Sequence, residues 1–117
     1  GMAVRLLMPY FTEKKFRTIN TIMEFMKHKN DAKTLSMEEL YIPTGNNNIL
    51  RILVFKPART LKEDVPGVLW IHGGGYCIGI PEQDSNFAEI LEEYHDCVIF
   101  MPDYRLAVEA LSLTNNE

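Results

Sequence analysis

The sequence predicts an α/β fold, and three observations support this prediction. Two short β-type runs flank a turn sequence, which predicts an antiparallel hairpin. A strand, a glycine-rich loop, a helix and a second strand follow, which predicts a βαβ unit with parallel strands. Of the 117 residues, 46% are hydrophobic and 24% are charged, as in ordinary globular proteins. At this length, one domain is the upper limit.

The first predicted element is a helix preceded by Thr12. Apolar residues recur at steps of three and four, as on one stripe of a helix: Phe16, Ile19, Ile22, Met23 and Met26. Thr12 is expected to cap the N-terminus, with Glu13 in the first turn. The cations at 27–29 favour a helix C-terminus, and Asn30 is expected to end the helix. We expect residues 1–34 to form an N-terminal helical segment and residues 35–117 to form a partial α/β core.

The hairpin is predicted from two β-type runs, 36–42 and 48–56, separated by the turn sequence Thr-Gly-Asn-Asn at 44–47. Residues 65–72 are nearly all apolar, which predicts a strand covered on both faces. A helix is predicted over 84–95, capped by Asp84. Its apolar face would comprise Phe87, Ile90, Leu91 and Tyr94. The run 97–101 predicts the last strand of the βαβ unit.

Charge and composition argue against several classes of partner. The net charge is −4 and the pI is about 5.4, so we expect no nucleic-acid partner. Residues 3–11 are partly apolar but too few to span a bilayer, so we expect no membrane span and a cytoplasmic protein. Cys77 and Cys97 lack metal-binding spacing, so they are expected to be reduced and structural. We expect neither a metal nor a cofactor.

The most specific motif is His72-Gly73-Gly74-Gly75, which directly follows a predicted strand and precedes a helix. Three glycines at such a place can form a simple flexible turn, or a weak phosphate loop without the usual spacing or lysine. The alternative is an anion site, because glycines let backbone amides approach a reacting atom closely. Ligands of βαβ units bind at the carboxyl ends of the strands, where this motif falls.

A second motif, Asp-Tyr-Arg-Leu-Ala-Val-Glu at 103–109, follows the next predicted strand. Together, the two motifs and their spacing resemble the hormone-sensitive-lipase-like branch of the α/β-hydrolase esterases and lipases. The resemblance implies that the amides of Gly74 and Gly75 form an oxyanion hole, with His72 bracing the loop rather than acting as a base. It also implies supporting roles for Gly73, Tyr76, Asp103, Tyr104 and Arg105.

The second motif contains two oppositely charged residues and one departure from the family pattern. Asp103 and Arg105 are either a solvated ion pair or neighbours that hold the loop ends near the site, and we favour the second interpretation. Val108 stands where the family pattern has proline, so a looser turn is expected after Ala107.

The resemblance implies the N-terminal half of an α/β-hydrolase fold, in which an antiparallel first hairpin leads into a parallel sheet with flanking helices. The N-terminal helical segment is similar to part of the family's cap. We therefore expect the strand ending at His72 to lack a neighbour on one side. Such an exposed apolar edge predicts self-association of the chain.

A serine hydrolase needs a nucleophile in a G-x-S-x-G elbow, followed by an acid and a histidine. The chain contains no such elbow around Ser36, Ser85 or Ser112. His28 and His95 are expected to be solvated, and Cys77 has no evident base. We therefore expect a truncated product or fragment of a carboxylic-ester hydrolase, inactive alone, whose full-length relatives act on small acyl esters.

The alternative is a non-catalytic binding or interaction module that reuses this half of the fold. What the gene encodes after residue 117 would discriminate between the two. A nucleotide-binding βαβ protein is disfavoured, because the phosphate-loop lysine and the ribose-binding acid are missing.

Overall fold

The computed structural model describes residues 12–114, with side chains described as far as residue 110. The helices are α1 (Glu13–Met23), α2 (Ser85–Tyr94) and α3 (Ala107–Thr114), and two short 3-10 helices cover Glu24–Met26 and Pro81–Asp84. The strands are β1 (Leu35–Gly45), β2 (Asn48–Pro57), β3 (Gly67–Leu69) and β4 (Val98–Asp103). They form one sheet in the order β1-β2-β4-β3, in which only β3 and β4 are parallel among the described strands. The predicted α/β fold is therefore confirmed.

Helix α1 begins where the sequence predicts. The Thr12 hydroxyl accepts a hydrogen bond from the Lys15 amide at 3.3 Å, which satisfies one free amide of the first turn. The α-helix ends earlier than expected, at Met23, and continues as a 3-10 turn before His28 reverses the chain at φ +65°. None of its residues is fully buried, so α1 lies on the surface of the core. The apolar run at 3–11 lies outside the described residues.

The hairpin of β1 and β2 is confirmed. Its ladder pairs Leu35 with Pro57 at one end and Gly45 with Asn48 at the other, and the register shifts after Pro43. Asn46 and Asn47 both have positive φ, 50° and 58°, as the tight two-residue turn of a hairpin requires. Asparagine tolerates this conformation better than most residues, which explains the turn sequence.

The parallel pairing of β3 with β4 confirms the βαβ unit, but the expected length and burial of β3 were wrong. Within residues 12–114, β3 pairs only with β4 and therefore forms an edge of the sheet. One side of the strand is covered, where Val68 and Trp70 pack against the core. On the other side Leu69 is 64% exposed and Ile71 59% exposed, so the strand is not covered on both faces. β4, in contrast, runs past the predicted end to Asp103.

Helix α2 begins after Asp84 as expected, but the Asp84 carboxylate does not cap it. That carboxylate instead accepts a hydrogen bond from the Trp70 indole at 2.9 Å. The predicted apolar face was also wrong in part: Leu91 packs on the core, whereas three other members are exposed, namely Phe87, Ile90 and Tyr94. The residues of α2 that are fully buried are Ser85, Ala88 and Glu92.

The core lies between the sheet and α2. Its fully buried members are Ala32, Leu35, Leu53, Phe55, Ala88, Cys97, Ile99 and Met101. Alternate residues of β2 and β4 supply most of them, as expected for strands with one face on the core. None of the helices in the described part of the chain is both long and apolar enough to cross a bilayer.

Candidate functional site

The glycine loop follows β3 at the carboxyl end of the strand, where the sequence places it. Between residues 74 and 79, four residues have positive φ: Gly74 at 134°, Gly75 at 60°, Tyr76 at 60° and Gly79 at 120°. This conformation is strained for a tyrosine and easy for glycine. The loop is therefore sharply folded, and Tyr76 needs support from its neighbours to stay in this conformation.

His72 and Tyr104, which follow the neighbouring parallel strands, meet at this edge of the sheet. Their rings stack with centroids 4.3 Å apart and an interplanar angle of 11°. The Tyr104 hydroxyl donates to the His72 carbonyl at 2.7 Å. Burial raises the pKa of the Tyr104 phenol, so the phenol keeps this proton at neutral pH. Tyr76 lies edge-on to Tyr104 at 6.0 Å, so both motifs contribute to one cluster.

The hydrogen bonds around His72 determine which ring nitrogen carries the proton. Nδ1 lies 2.9 Å from the Gly73 carbonyl, which can only accept, so Nδ1 is the protonated nitrogen. In the neutral ring Nε2 is then an acceptor, and it is buried without a partner among the described residues. Since a general base must reach the proton that it removes, this buried nitrogen is poorly placed to act as one.

The amides of the loop divide into two groups. Cys77 N and Ile78 N both donate to the Gly74 carbonyl, at 3.1 and 3.2 Å. Within residues 12–114, the amides of Gly74 and Gly75 donate to no protein group. The loop is anchored at Tyr76, whose carbonyl accepts from the Ala107 amide at 2.8 Å at the start of α3. The amides of Gly74 and Gly75 thus remain available at the carboxyl edge of the sheet, as do those of the flanking Gly73 and Tyr76 within the described residues.

Asp103 does not pair with Arg105. Its carboxylate accepts from Arg51 of β2, at 2.9 and 3.1 Å, while Arg105 is exposed and has no hydrogen-bond or ion-pair partner in the described part of the chain. The expected role of Arg105 in tying the loop ends is therefore wrong. The reason is the sheet register, which places Arg51 directly opposite Asp103. Asp103 does hold the end of β4, but it does so through a residue distant in sequence.

Arg51 is the centre of a buried ionic cluster that the sequence did not reveal. It is 7% exposed and contacts Glu82, which is 1% exposed, at 2.5 and 3.1 Å, in addition to Glu39 at 3.0 Å. Burial acts to lower the pKa of Arg51, but the hydrogen bonds that Arg51 donates to the carboxylates of Glu82 and Asp103 outweigh burial and raise the pKa. The cluster ties β2, β4 and the 3-10 helix before α2 together beneath the site.

The residues that follow α1 also contact this ionic cluster. The His28 amide donates to Glu82 at 3.0 Å, and the His28 ring contacts Glu39 at 2.6 Å. Lys27 lies 3.4 Å from the carboxylate of Asp103. Burial acts to lower the pKa of Lys27, and the contacts with Glu24 and Asp103 raise it overall. His28 is exposed, as expected, but its ring is not without a partner.

Two further residues of the site were missed by sequence reasoning. Asn20 of α1 donates to the Cys77 carbonyl at 2.8 Å and accepts from the Gly79 amide at 3.2 Å. Gly79 packs so closely beneath the His72 ring that an added Cβ would lie 2.6 Å from Nδ1. The available signal for Asn20 was a polar residue within an apolar helical stripe. For Gly79, no signal existed before the contact with His72 was known.

The path after Ala107 is a helix, with Val108 where the family pattern has proline. Val108 is 4% exposed and lies in the first turn of α3, where its carbonyl accepts from Arg17 at 2.6 Å. The Glu109 carboxylate accepts from the Leu106 amide at 3.0 Å, which satisfies an amide at the start of the helix. Packing and capping thus start the helix without the fixed φ of proline.

Two open clefts flank the sheet. A cleft of about 470 Å³ lies beside the site, between the end of β4 and the hairpin turn, and Asp103, Tyr104 and Arg105 are among its lining residues. A larger one of about 880 Å³ lies at the opposite end of the sheet, near the end of α2. Among residues 12–114, no group of three or more His, Cys, Asp or Glu side chains is arranged to hold a metal.

Comparison with known proteins relates the segment that carries both motifs to the alpha/beta hydrolase fold. A family model described as an alpha/beta hydrolase fold matches residues 68–112, the segment that contains both motifs. An AB hydrolase superfamily protein of Schizosaccharomyces pombe is 40% identical over 57 residues, which are 48% of this chain and 17% of that protein. A pyrethroid hydrolase of Rattus norvegicus is 29% identical over 96 residues, 81% of this chain and 15% of that protein.

Solved structures agree with these similarities. A hyperthermophilic esterase of Pyrobaculum calidifontis matches with a TM-score of 0.59 and 27% identity, covering 84% of this chain and 31% of that one. A bacterial heroin esterase matches with a TM-score of 0.60 and 27% identity, covering 77% and 28%. The chain thus spans about a sixth of the curated relatives and under a third of these structures. It therefore carries part of an α/β-hydrolase fold and resembles the esterases of that fold.

Proposed function

We propose that the chain provides the oxyanion-hole portion of a carboxylic-ester hydrolase. In this proposal the Gly74 and Gly75 amides donate to the oxygen that becomes negative when a nucleophile attacks an ester carbonyl. His72, Gly73, Tyr76 and Tyr104 hold the loop. Asp103 fixes the end of β4 beneath it through Arg51, and the substrate is a small acyl ester.

The observation that carries the proposal is that the adjacent amides of Gly74 and Gly75, at the carboxyl end of β3, donate to no group of the described chain, whereas the amides of Cys77 and Ile78 are hydrogen-bonded. Donors fixed in place before the reaction are effective because they need no reorganisation when charge develops. Gly74 and Gly75 also lack side chains, so a carbonyl oxygen can approach their amides closely. The similarity to esterases supports the same reaction class.

A titration with methylphosphonate, a tetrahedral anion, tests the donor role. Amide resonances of the folded chain would be followed by NMR as methylphosphonate is added at constant ionic strength. We expect saturable downfield shifts at Gly74 and Gly75, because their amides are free to donate. Gly45, in the hairpin turn, and Gly67, at the start of β3, are internal controls. Shifts at Gly74 and Gly75 no larger than those of the controls would contradict the proposal.

We further propose that this chain alone does not turn over esters. The sequence has no G-x-S-x-G elbow, and the buried Nε2 of His72 has no access to a nucleophile among the described residues. Hydrolysis of 4-nitrophenyl butyrate is therefore expected at the rate of buffer alone. Turnover that scales with chain concentration and is lost in Cys77→Ala or His95→Ala would overturn this expectation.

Self-association is proposed as a second property. β3 is an edge strand, and the amides of Leu69 and Ile71 alternate with the Trp70 amide, which donates to the Phe100 carbonyl of β4 at 2.8 Å. The intervening groups therefore point away from β4. An exposed edge that carries apolar side chains favours pairing with another strand, here that of a second copy. The cytoplasmic location expected from the sequence stays a prediction.

A further inference from the structure

The glycine loop has little in its own sequence to keep it in its observed conformation. Its fold depends on positive φ at four of six consecutive residues, one of which is Tyr76. Its internal hydrogen bonds converge on one atom, the Gly74 carbonyl, which accepts from Cys77 and Ile78. Because strained backbone persists only where its surroundings over-determine it, contacts from outside the loop must contribute.

Asn20 provides such a contact from α1. Its side-chain amide donates to the Cys77 carbonyl at 2.8 Å, and its side-chain oxygen accepts from the Gly79 amide at 3.2 Å. Because the Cys77 carbonyl can only accept and the Gly79 amide can only donate, the orientation of the Asn20 amide group is fixed. One side chain therefore binds the backbone on both sides of Ile78.

The two bonds of Asn20 are connected to the candidate donors by a short path. Ile78 lies between the two bonded residues, and its amide donates to the Gly74 carbonyl at 3.2 Å. Gly74 also lies so close to Ile78 that a Cβ at position 74 would collide with the Ile78 carbonyl. A displacement of residues 77–79 must therefore move Gly74, and with it the peptide plane that carries the Gly75 amide.

We infer that Asn20 is a positioning residue that couples helix α1 to the oxyanion loop and holds the Gly74 and Gly75 amides in their binding orientation. This inference rests on the proposed function, because that proposal is what makes the Gly74 and Gly75 amides anion donors. The effect of Asn20 on the position of these amides can nevertheless be measured without a ligand. In this inference, helix α1 contributes to the anion-binding site through Asn20. Asparagine suits this task because it joins a donor and an acceptor on a short side chain.

The test compares Asn20→Ala with Arg17→Ala by NMR on the full chain. Arg17 is a matched control, since it also connects α1 to the core, through the Val108 carbonyl at 2.6 Å. In Asn20→Ala we expect the Gly79 amide to exchange about tenfold faster, as loss of a hydrogen bond implies, and the Gly74 and Gly75 amide resonances to move. Arg17→Ala should leave the Gly79 exchange rate and the Gly74 and Gly75 amide resonances near their wild-type values.

A second variant, Asn20→Asp, separates the two bonds and keeps the test decisive if Asn20→Ala fails to fold. It retains an acceptor for the Gly79 amide but loses the donor to the Cys77 carbonyl. Gly79 exchange is expected within about threefold of wild type, while the Cys77 carbonyl resonance moves. Equal effects of Arg17→Ala and Asn20→Ala, or unprotected Gly79 in Asn20→Asp, would overturn the inference.

Methylphosphonate titration of the same variants separates the two proposals. If wild-type chain does not bind the anion but Asn20→Ala still displaces the Gly74 and Gly75 resonances, the proposed function fails and the positioning role holds. If wild-type chain binds the anion and Asn20→Ala binds it equally well with unchanged resonances, the positioning role fails and the proposed function holds.

Discussion

Gly74 illustrates how individual residues determine the shape of the candidate site. Its φ of +134° lies in a region that residues with side chains rarely adopt, and a Cβ there would overlap the Ile78 carbonyl. Gly75 has a φ of +60° but open space around it, and Gly73 has neither a positive φ nor a close neighbour. The three consecutive glycines therefore differ in their tolerance of a side chain.

Alanine substitutions at the three glycines are predicted to lower the free energy of unfolding by different amounts. Gly74→Ala should lower the free energy of unfolding by more than about 2 kcal/mol, because both strain and collision oppose it. Gly75→Ala should cost about 1 kcal/mol from its left-handed backbone alone. Gly73→Ala, the matched control, should stay within about 0.5 kcal/mol of wild type. Urea denaturation measures all three, and equal stability of Gly74→Ala and Gly73→Ala would contradict the loop geometry.

For individual residues, the sequence predicts which side chains lie at the site better than it predicts which contacts hold them in place. His72 and Tyr104 could be placed together, because the carboxyl ends of parallel strands meet at one edge of the sheet. Arg51 could not be assigned to Asp103, since that contact depends on the register between β2 and β4. The contact between Asn20 and the loop could not be predicted either, because it joins residues 57 positions apart whose proximity depends on how α1 packs on the core.

Between elements, the connection from α1 to the sheet is electrostatic. Burial acts to raise the pKa of Glu39, but the hydrogen bonds with Tyr41 and His28 and the charge of Arg51 lower it overall. A carboxylate whose pKa is lowered on folding stabilises the folded state above its ordinary pKa. That stabilisation is lost as the pH falls through the lowered value.

Glu39→Gln is therefore predicted to destabilise the protein at neutral pH, with a difference from wild type that shrinks as the pH falls below 4.5, the ordinary pKa of the carboxyl. Glu38→Gln is the matched control, since Glu38 makes an exposed pair with Lys56 at 3.5 Å. Such a pair contributes at most about 1 kcal/mol. Urea denaturation at several pH values measures both variants, and a constant difference for Glu39→Gln would refute the assignment.

Elements whose structure follows from a local sequence pattern were predicted well. The burial of an element, which depends on what packs against it, was not. The hairpin was predictable because its turn residues are adjacent in sequence and tolerate positive φ. The apolar run at 65–72 indicated a strand covered on both faces, yet Leu69 is exposed, since covering groups are absent from the described residues on that side. An apolar run therefore reveals that a surface needs burial without showing what buries it.

For the whole molecule, the open edge of β3 is the main consequence of the topology. Ile71→Lys is predicted to reduce self-association, because it adds a charge beside that edge. Ile49→Lys is the matched control, as Ile49 is also exposed, at 66%, but lies in β2 near the hairpin turn. Light scattering over a range of chain concentrations measures both. A monomer at all concentrations, or an equal effect of the two variants, would exclude edge pairing.

In the loop after β3, the adjacent amides of Gly74 and Gly75 donate to no group of the described chain, whereas those of Cys77 and Ile78 are hydrogen-bonded. Residue-resolved hydrogen exchange of the folded chain tests this most directly. We expect slow exchange at Cys77 and Ile78, which donate to the Gly74 carbonyl, and fast exchange at Gly74 and Gly75. Protection of Gly74 and Gly75 equal to that of Cys77 and Ile78 would contradict it.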